Sequence, residues 1–150
     1  MVFTVPCHPP FLRRASEGEY RLHYESLYCQ GPITDYLGLP IRFRKEQFDH
    51  VFFESAGRNR IKDIFSQARA ERLDWILTTL QSTSSVQYEG WDSFTKRYDP
   101  NFRVTNVFGS FVVIVRVVRS RGLPVSGEFR TAYWADNSIG KIRTGPPWVP

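Results

Sequence analysis

Apolar and polar positions along this chain fall into patterns that predict most of its elements. The longest apolar run, Phe111 to Val118, is broken only by Arg116 and is rich in β-branched residues. That composition and length predict the central strand of a sheet. Arg103 to Phe108 reads as the strand before it, with Gly109-Ser110 as the turn. Ser120 to Gly127 reads as a loop returning to a last strand, Phe129-Arg130-Thr131-Ala132-Tyr133-Trp134-Ala135-Asp136. Connections this short imply an antiparallel meander. Side chains alternate along a strand, so Phe129, Thr131 and Tyr133 are expected on one face, and Arg130, Ala132 and Trp134 on the other.

Upstream, Val86 to Glu89 predicts a short strand that turns out through Gly90-Trp91-Asp92 to a loop carrying Lys96-Arg97. Ile41 and Phe43 alternate with Arg42 and Arg44, the signature of a half-buried strand. Phe48 to Glu54 reads as a second strand, which His50 opens, and Ser55 to Arg60 as a polar loop. Ile61 to Gln81 contains no proline or glycine and predicts the main helix, with Ser66 capping a run from about Gln67 to Leu80. Leu73, Ile76, Leu77 and Leu80 form its apolar stripe, and a step of four back from Leu73 and Ile76 reaches Arg69 and Arg72. Residues 1–40, punctuated by Pro9-Pro10, Gly31-Pro32 and Leu39-Pro40, read as an irregular arm with one short helix or strand near Arg21 to Tyr28. The tail from Ile139 to Trp148 is basic and ends in prolines.

Length and charge narrow the partners. A chain of 150 residues suits one domain. Its formal net charge is +5 and its sequence pI about 9.5. The excess is carried by arginines such as Arg58, Arg60, Arg69, Arg72, Arg116, Arg119 and Arg121. Arginine suits bidentate contact with phosphate, and the 15% aromatic content offers surfaces for base stacking. A nucleic-acid partner is favoured over a membrane, since no apolar run is long enough to span one. Cys7 and Cys29 make no disulfide framework, and with His8 and His23 they match no usual zinc spacing. Pro6, Pro9 and Pro10 interrupt any apolar leader, so a cytoplasmic location with free thiols is expected. No phosphate-binding loop, glycine-rich dinucleotide motif, nucleophile elbow or acidic metal-ligand cluster is present in the sequence, and no cofactor is expected.

Several residues are candidates for chemistry, each with a plainer alternative. Thr131 and Tyr133, flanked by Arg130, fit the wall of a site for a phosphate and a base, or an ordinary half-buried edge strand. His50 fits a general acid or base, or a surface histidine that caps a strand. Arg69 and Arg72 on a buried stripe need an anion. The choices are Glu54, Glu71, Asp74 or a substrate phosphate at the helix start, unless both arginines reach solvent.

The strand carrying His50, the helix written Arg69-Ala70-Glu71-Arg72-Leu73-Asp74-Trp75-Ile76, the hydrophobic central strand and the terminal Phe129-Arg130-Thr131-Ala132-Tyr133 together resemble the phage-associated branch of the barnase–EndoU–colicin–RelE superfamily. The resemblance covers roughly residues 40–148 and implies an α+β nuclease domain over 41–150, in which a helical part packs on a four-stranded or larger antiparallel sheet. It implies a toxin-like, metal-independent endoribonuclease that cleaves RNA, tRNA among the candidates, by attack of the 2′-hydroxyl on the adjacent phosphate. His50, Arg69, Thr131 and Tyr133 are then the catalytic candidates. Arg72, Lys96 and Arg130 are further substrate contacts. An immunity or antitoxin protein is the implied protein partner. The rival from another class is a non-catalytic RNA- or protein-binding domain on the same fold. A transferase using the same side chains on a nucleotide is a third. If His50, Arg69 and Thr131 do not converge on one concave face, the binding domain is the better reading of the first two.

Overall fold

The structure, a computed structural model, describes residues 7–57 and 61–150. Pro6 and the end of the expected 55–60 loop, with Arg58 and Arg60, lie outside the described residues. In chain order the first elements are α1 (Glu17–Tyr28), β1 (Ile33–Thr34), β2 (Pro40–Arg42), α2 (Gln47–Val51), β3 (Phe53–Ser55) and β4 (Lys62–Phe65). They are followed by α3 (Gln67–Ala70), α4 (Leu73–Gln81), β5 (Val86–Asp92), β6 (Arg97–Phe108), β7 (Phe111–Ser120), β8 (Leu123–Trp134) and α5 (Ile139–Arg143). The chain is α+β. A six-stranded mixed sheet runs in the order β1-β2-β8-β7-β6-β5, beside a two-stranded hairpin of β3 and β4. The meander β5 to β8 is antiparallel, whereas β2 joins β8 in parallel through Ile41 and Arg42 opposite Gly127 and Glu128. Gly127 permits that approach, since a Cβ there would stand 2.5 Å from Val115 Cγ1 and 2.7 Å from Ile41 Cδ1. Among the described residues no helix is long and apolar enough to cross a membrane.

The strands run longer than expected at both hairpins. Arg121 and Gly122 both have positive φ, 53° and 80°, and make a two-residue turn that closes Ser120 on Leu123. The supposed loop from Ser120 to Gly127 is therefore mostly β8, and Pro124 is tolerated because β2 joins that edge only from Gly127 onward. Gly90-Trp91-Asp92 likewise stays in β5, across a register shift between Glu89 and Gly90.

One bulge overturns the expected facing of the last strand. Ile114 pairs with Thr131 and Val115 with Phe129, so Arg130 is an extra residue without a partner in β7. Phe129 therefore shares the buried helix-side face with Ala132 and not with Thr131 and Tyr133. Tyr133 packs instead with Ile114 and Val112 against α5 on the opposite face.

The helical layer begins earlier than expected. Ser16 caps α1 by accepting from the Glu19 N–H, and Glu19 accepts in return from the Ala15 N–H at 2.8 Å. Tyr20, Tyr24 and Tyr28 recur every fourth residue and are all buried. Their hydroxyls donate to the carbonyls of Leu12, Arg44 and Leu73 at 3.0, 2.7 and 2.7 Å. The supposed irregular arm thus shares the main core with the strands. Phe48, Val51 and Phe52 are buried at helical spacing, so His50 sits in a short helix rather than at a strand start. The main helix is also broken. Ser66 caps α3 as expected, accepting from the Arg69 N–H at 3.3 Å, but the chain turns at Glu71-Arg72 before α4 begins. The break takes Arg69 off the stripe, and Ala70 is buried in its place.

Candidate functional site

The site candidate lies where β8 loses its outer neighbour. From Phe129 onward no strand pairs with that edge among the described residues. Helix α2 packs there instead, and Gln47 Nε2 donates to the Arg130 carbonyl. On this short helix, burial of Phe48 and Val51 leaves His50 on the open side, where the β3–β4 hairpin brings up Lys62. Lys62 Nζ donates to the His50 carbonyl at 2.7 Å and lies 3.5 Å from its Nδ1. Burial first, and then the charges of Lys62, Arg130 and Arg69, hold His50 below its ordinary pKa of 6.5. Lys62 is itself lowered, by burial and by Arg69. An uncharged imidazole with cations around it can accept a proton, and the cations favour a phosphate at the same spot.

Arg69 reaches the cluster from α3. Its Nε lies 3.3 Å from Glu54 Oε1, and Nη1 donates to the Val51 carbonyl at 3.3 Å. The pair is half-exposed, at 37% and 49%, so the expectation of a buried cation needing an anion does not hold here. Glu54 is a carboxylate neighbour in a group otherwise made of cations.

The expected residues separate into sets. His50, Arg69 and Arg130 converge, joined by Lys62. Thr131 and Tyr133 do not join them, because the bulge turns both to the face that α5 covers, away from the main helical layer. Burial raises the Tyr133 phenol above its ordinary pKa, and this residue borders a cavity of about 330 Å³ walled by Trp91 and Tyr98. It also borders a smaller hollow of about 180 Å³ with Arg69 and Arg72, so the two regions adjoin. Arg72 is occupied structurally, its guanidinium lying over Phe11, Trp75 and Trp134 at 5.0, 5.2 and 5.8 Å. It also donates to the Ala68 carbonyl at 2.5 Å. Lys96, at positive φ of 54°, sits in the turn between β5 and β6 and is not brought to the cluster.

Lys62 is the residue that sequence reasoning missed. It falls within the helical block expected from Ile61, and only Ile64 and Phe65 ahead of the Ser66 cap are residues that favour a strand. The two histidines weighed with the cysteines for zinc are each engaged elsewhere. His8 stacks on Trp75 at 4.3 Å with Nε2 at 3.2 Å from the Phe108 carbonyl, while His23 pairs with Asp74 at 2.7 Å. Among the described residues no group of His, Cys, Asp and Glu side chains is placed to hold a metal ion. Comparison with protein-family models, with curated proteins and with solved structures returns no match, so any reading of the site rests on its own geometry.

Proposed function

We propose that this chain is a metal-independent endoribonuclease whose reaction takes place at the free edge of β8. The observation that carries the reading is the placement of His50 against Lys62, with Arg69 and Arg130 near enough to help burial hold its pKa down. His50 takes the proton of an RNA 2′-hydroxyl as its oxygen attacks the adjacent phosphorus. The bond from phosphorus to the 5′ oxygen breaks, and Lys62, whose pKa is depressed, supplies a proton to that leaving oxygen. Arg69 and Arg130 hold the phosphate oxygens as negative charge builds. The products are a 2′,3′-cyclic phosphate and a 5′-hydroxyl. This is the chemistry implied by the resemblance of the sequence to the barnase–EndoU–colicin–RelE superfamily, with Lys62 as the proton donor.

The test is incubation of the purified chain with total cellular RNA in EDTA, followed by end-group analysis. Discrete fragments with cyclic phosphate ends, lost in His50→Ala, are the expected result. A requirement for a divalent ion, or equal cleavage by His50→Ala, would overturn it.

A second reading, a non-catalytic RNA-binding domain, is favoured by one observation. Thr131 and Tyr133, expected as catalytic partners, lie on a different face from His50. RNA bound by the wild-type chain at unchanged length would select that reading.

A further inference from the structure

The face of the sheet away from the helical layer carries a second constellation. Arg103 of β6 and Arg116 of β7 stand directly opposite each other in the ladder. Like charges in that relation repel and weaken a sheet. Arg130, the extra residue of the β8 bulge, lines the same hollow of about 210 Å³. Among the described residues none of these arginines forms an ion pair. The nearby carboxylates are engaged elsewhere. Asp99 borders the hollow, but its Oδ1 accepts the N–H groups of Asn101 and Phe102 at 3.1 and 3.0 Å. Glu128 faces Arg116 from β8, yet its carboxylate lies 3.3 Å from Arg44. The arrangement is also built in by the backbone, because the stem of Arg103 lies across Gly90, where a Cβ would come within 2.1 Å of its Cγ.

Two residues further along the same strands, Thr105 and Ile114 stand opposite each other and border the cavity of about 330 Å³. Its walls include Trp91, Tyr98 and Tyr133, and Lys141 of α5 stands at its border. The rings of Trp91 and Tyr98 meet edge to face, 5.2 Å apart at 82°, which leaves half of Trp91 exposed for a flat partner. Two residues along a strand span about 7 Å, within the reach of a single nucleotide from its phosphate to its base. Arg103 feels the Asp92 carboxylate, but among the described residues no carboxylate forms a salt bridge with Arg103 or Arg116. Paired cations without a salt-bridge partner, one step from an aromatic cavity, match a ligand that carries an anion and a flat ring together.

We propose that this face is a ribonucleotide subsite, with the phosphate on Arg103, Arg116 and Arg130 and the base against Trp91, Tyr98 and Tyr133. It deepens the RNA reading and rests on it for the class of ligand. An RNA strand seated here passes over Arg130 toward His50, so the subsite selects which base lies beside the cleaved bond.

Calorimetric titration of the full chain with ribonucleoside 3′-monophosphates, with the free nucleosides and with inorganic phosphate tests the proposal. At least one nucleotide is expected to bind about tenfold or more tightly than its nucleoside or phosphate alone. Trp91→Ala and Arg116→Gln should each weaken that nucleotide about tenfold, and neither exposed residue holds the core. His50→Ala should bind it as the wild type does, which separates this test from the test of cleavage. Nucleotide binding no stronger than inorganic phosphate, or unchanged in Trp91→Ala and Arg116→Gln, overturns the subsite. RNA cleavage without nucleotide binding overturns the subsite alone, whereas nucleotide binding without cleavage overturns only the nuclease reading.

Discussion

Lys62 and His50 are joined at two points, through Nζ to the histidine carbonyl at 2.7 Å and through Nζ to the ring Nδ1 at 3.5 Å. The first contact fixes the lysine against the end of α2. The second sets a positive charge against the ring and opposes its protonation. Burial acts in the same direction and is the larger cause.

A pH dependence follows from this geometry. The folded chain holds His50 below 6.5, while the unfolded chain binds that proton at the ordinary value. In the window from 6.5 down to the folded midpoint, the unfolded state carries more protons. Stability therefore rises with pH through that window and is lost as the pH falls. Titration of the His50 ring by NMR should give a midpoint below 6.5, and Lys62→Met should raise it without restoring 6.5, since burial remains. A midpoint at 6.5 or above in the wild type would remove His50 as an uncharged base near neutrality.

Arg69 separates stability from function. Its pair with Glu54 is open to solvent, and such pairs contribute about 1 kcal/mol or less. The bond to the Val51 carbonyl adds on the order of 1 kcal/mol. Arg69→Ala should therefore lower stability by roughly 1–2 kcal/mol. Single-turnover cleavage should fall about a hundredfold, as for a lost transition-state donor. Melting and cleavage measured on the same preparation decide between them. A large loss of stability with unchanged cleavage would make Arg69 a structural residue.

Much of the sheet was legible in the sequence, because β7 is a β-branched run and Gly109-Ser110 a recognisable turn. The errors have separate physical causes. Phe48 and Phe52 suit either period over so short a stretch, whereas Val51 shares a face with Phe48 only in a helix. The register shift at Arg130 has no signature in composition, yet it reverses the faces of every residue after it. The start of α1 ahead of Arg21 and its depth were not legible, because tyrosine is half polar and the burial of Tyr20, Tyr24 and Tyr28 depends on backbone acceptors outside the helix. His50, Arg69 and Arg130 were nameable from residue type alone, but the approach of Lys62 depends on the β3–β4 pairing.

Tyr28 offers a test of the helical layer by itself. Its hydroxyl donates to the Leu73 carbonyl at 2.7 Å and accepts from the Leu77 N–H at 3.0 Å, the two groups that a regular helix joins to each other. The side chain is fully buried, and burial raises its pKa, so it stays an intact phenol. Tyr28→Phe keeps the ring and removes the bridge, and should cost about 1–3 kcal/mol. Chemical denaturation with an unchanged slope would report that loss. A variant as stable as the wild type would mean that α4 closes its own bond when the hydroxyl is gone.

Arg130 belongs to both proposed regions, and this makes it the most informative single substitution. Its charge helps to lower the His50 pKa, and the residue lines the hollow shared with Arg103 and Arg116. Its side chain is exposed, and the bulge backbone is held independently by Gln47 at the carbonyl. Arg130→Ala should therefore change stability by no more than about 0.5 kcal/mol. It should nonetheless weaken nucleotide binding and slow RNA cleavage together. Arg116→Gln should reduce nucleotide affinity while leaving His50 in its present surroundings, and His50→Ala should abolish cleavage with nucleotide affinity intact. Salt dependence adds a further readout. For single-stranded RNA, each lost phosphate contact lowers the slope of log affinity against log salt by about 0.7. Arg130→Ala should show that drop with a non-cleavable RNA analogue. If it impairs cleavage but leaves nucleotide affinity and the salt slope untouched, the strand does not pass from the arginine hollow to His50, and the two regions act on different ligands.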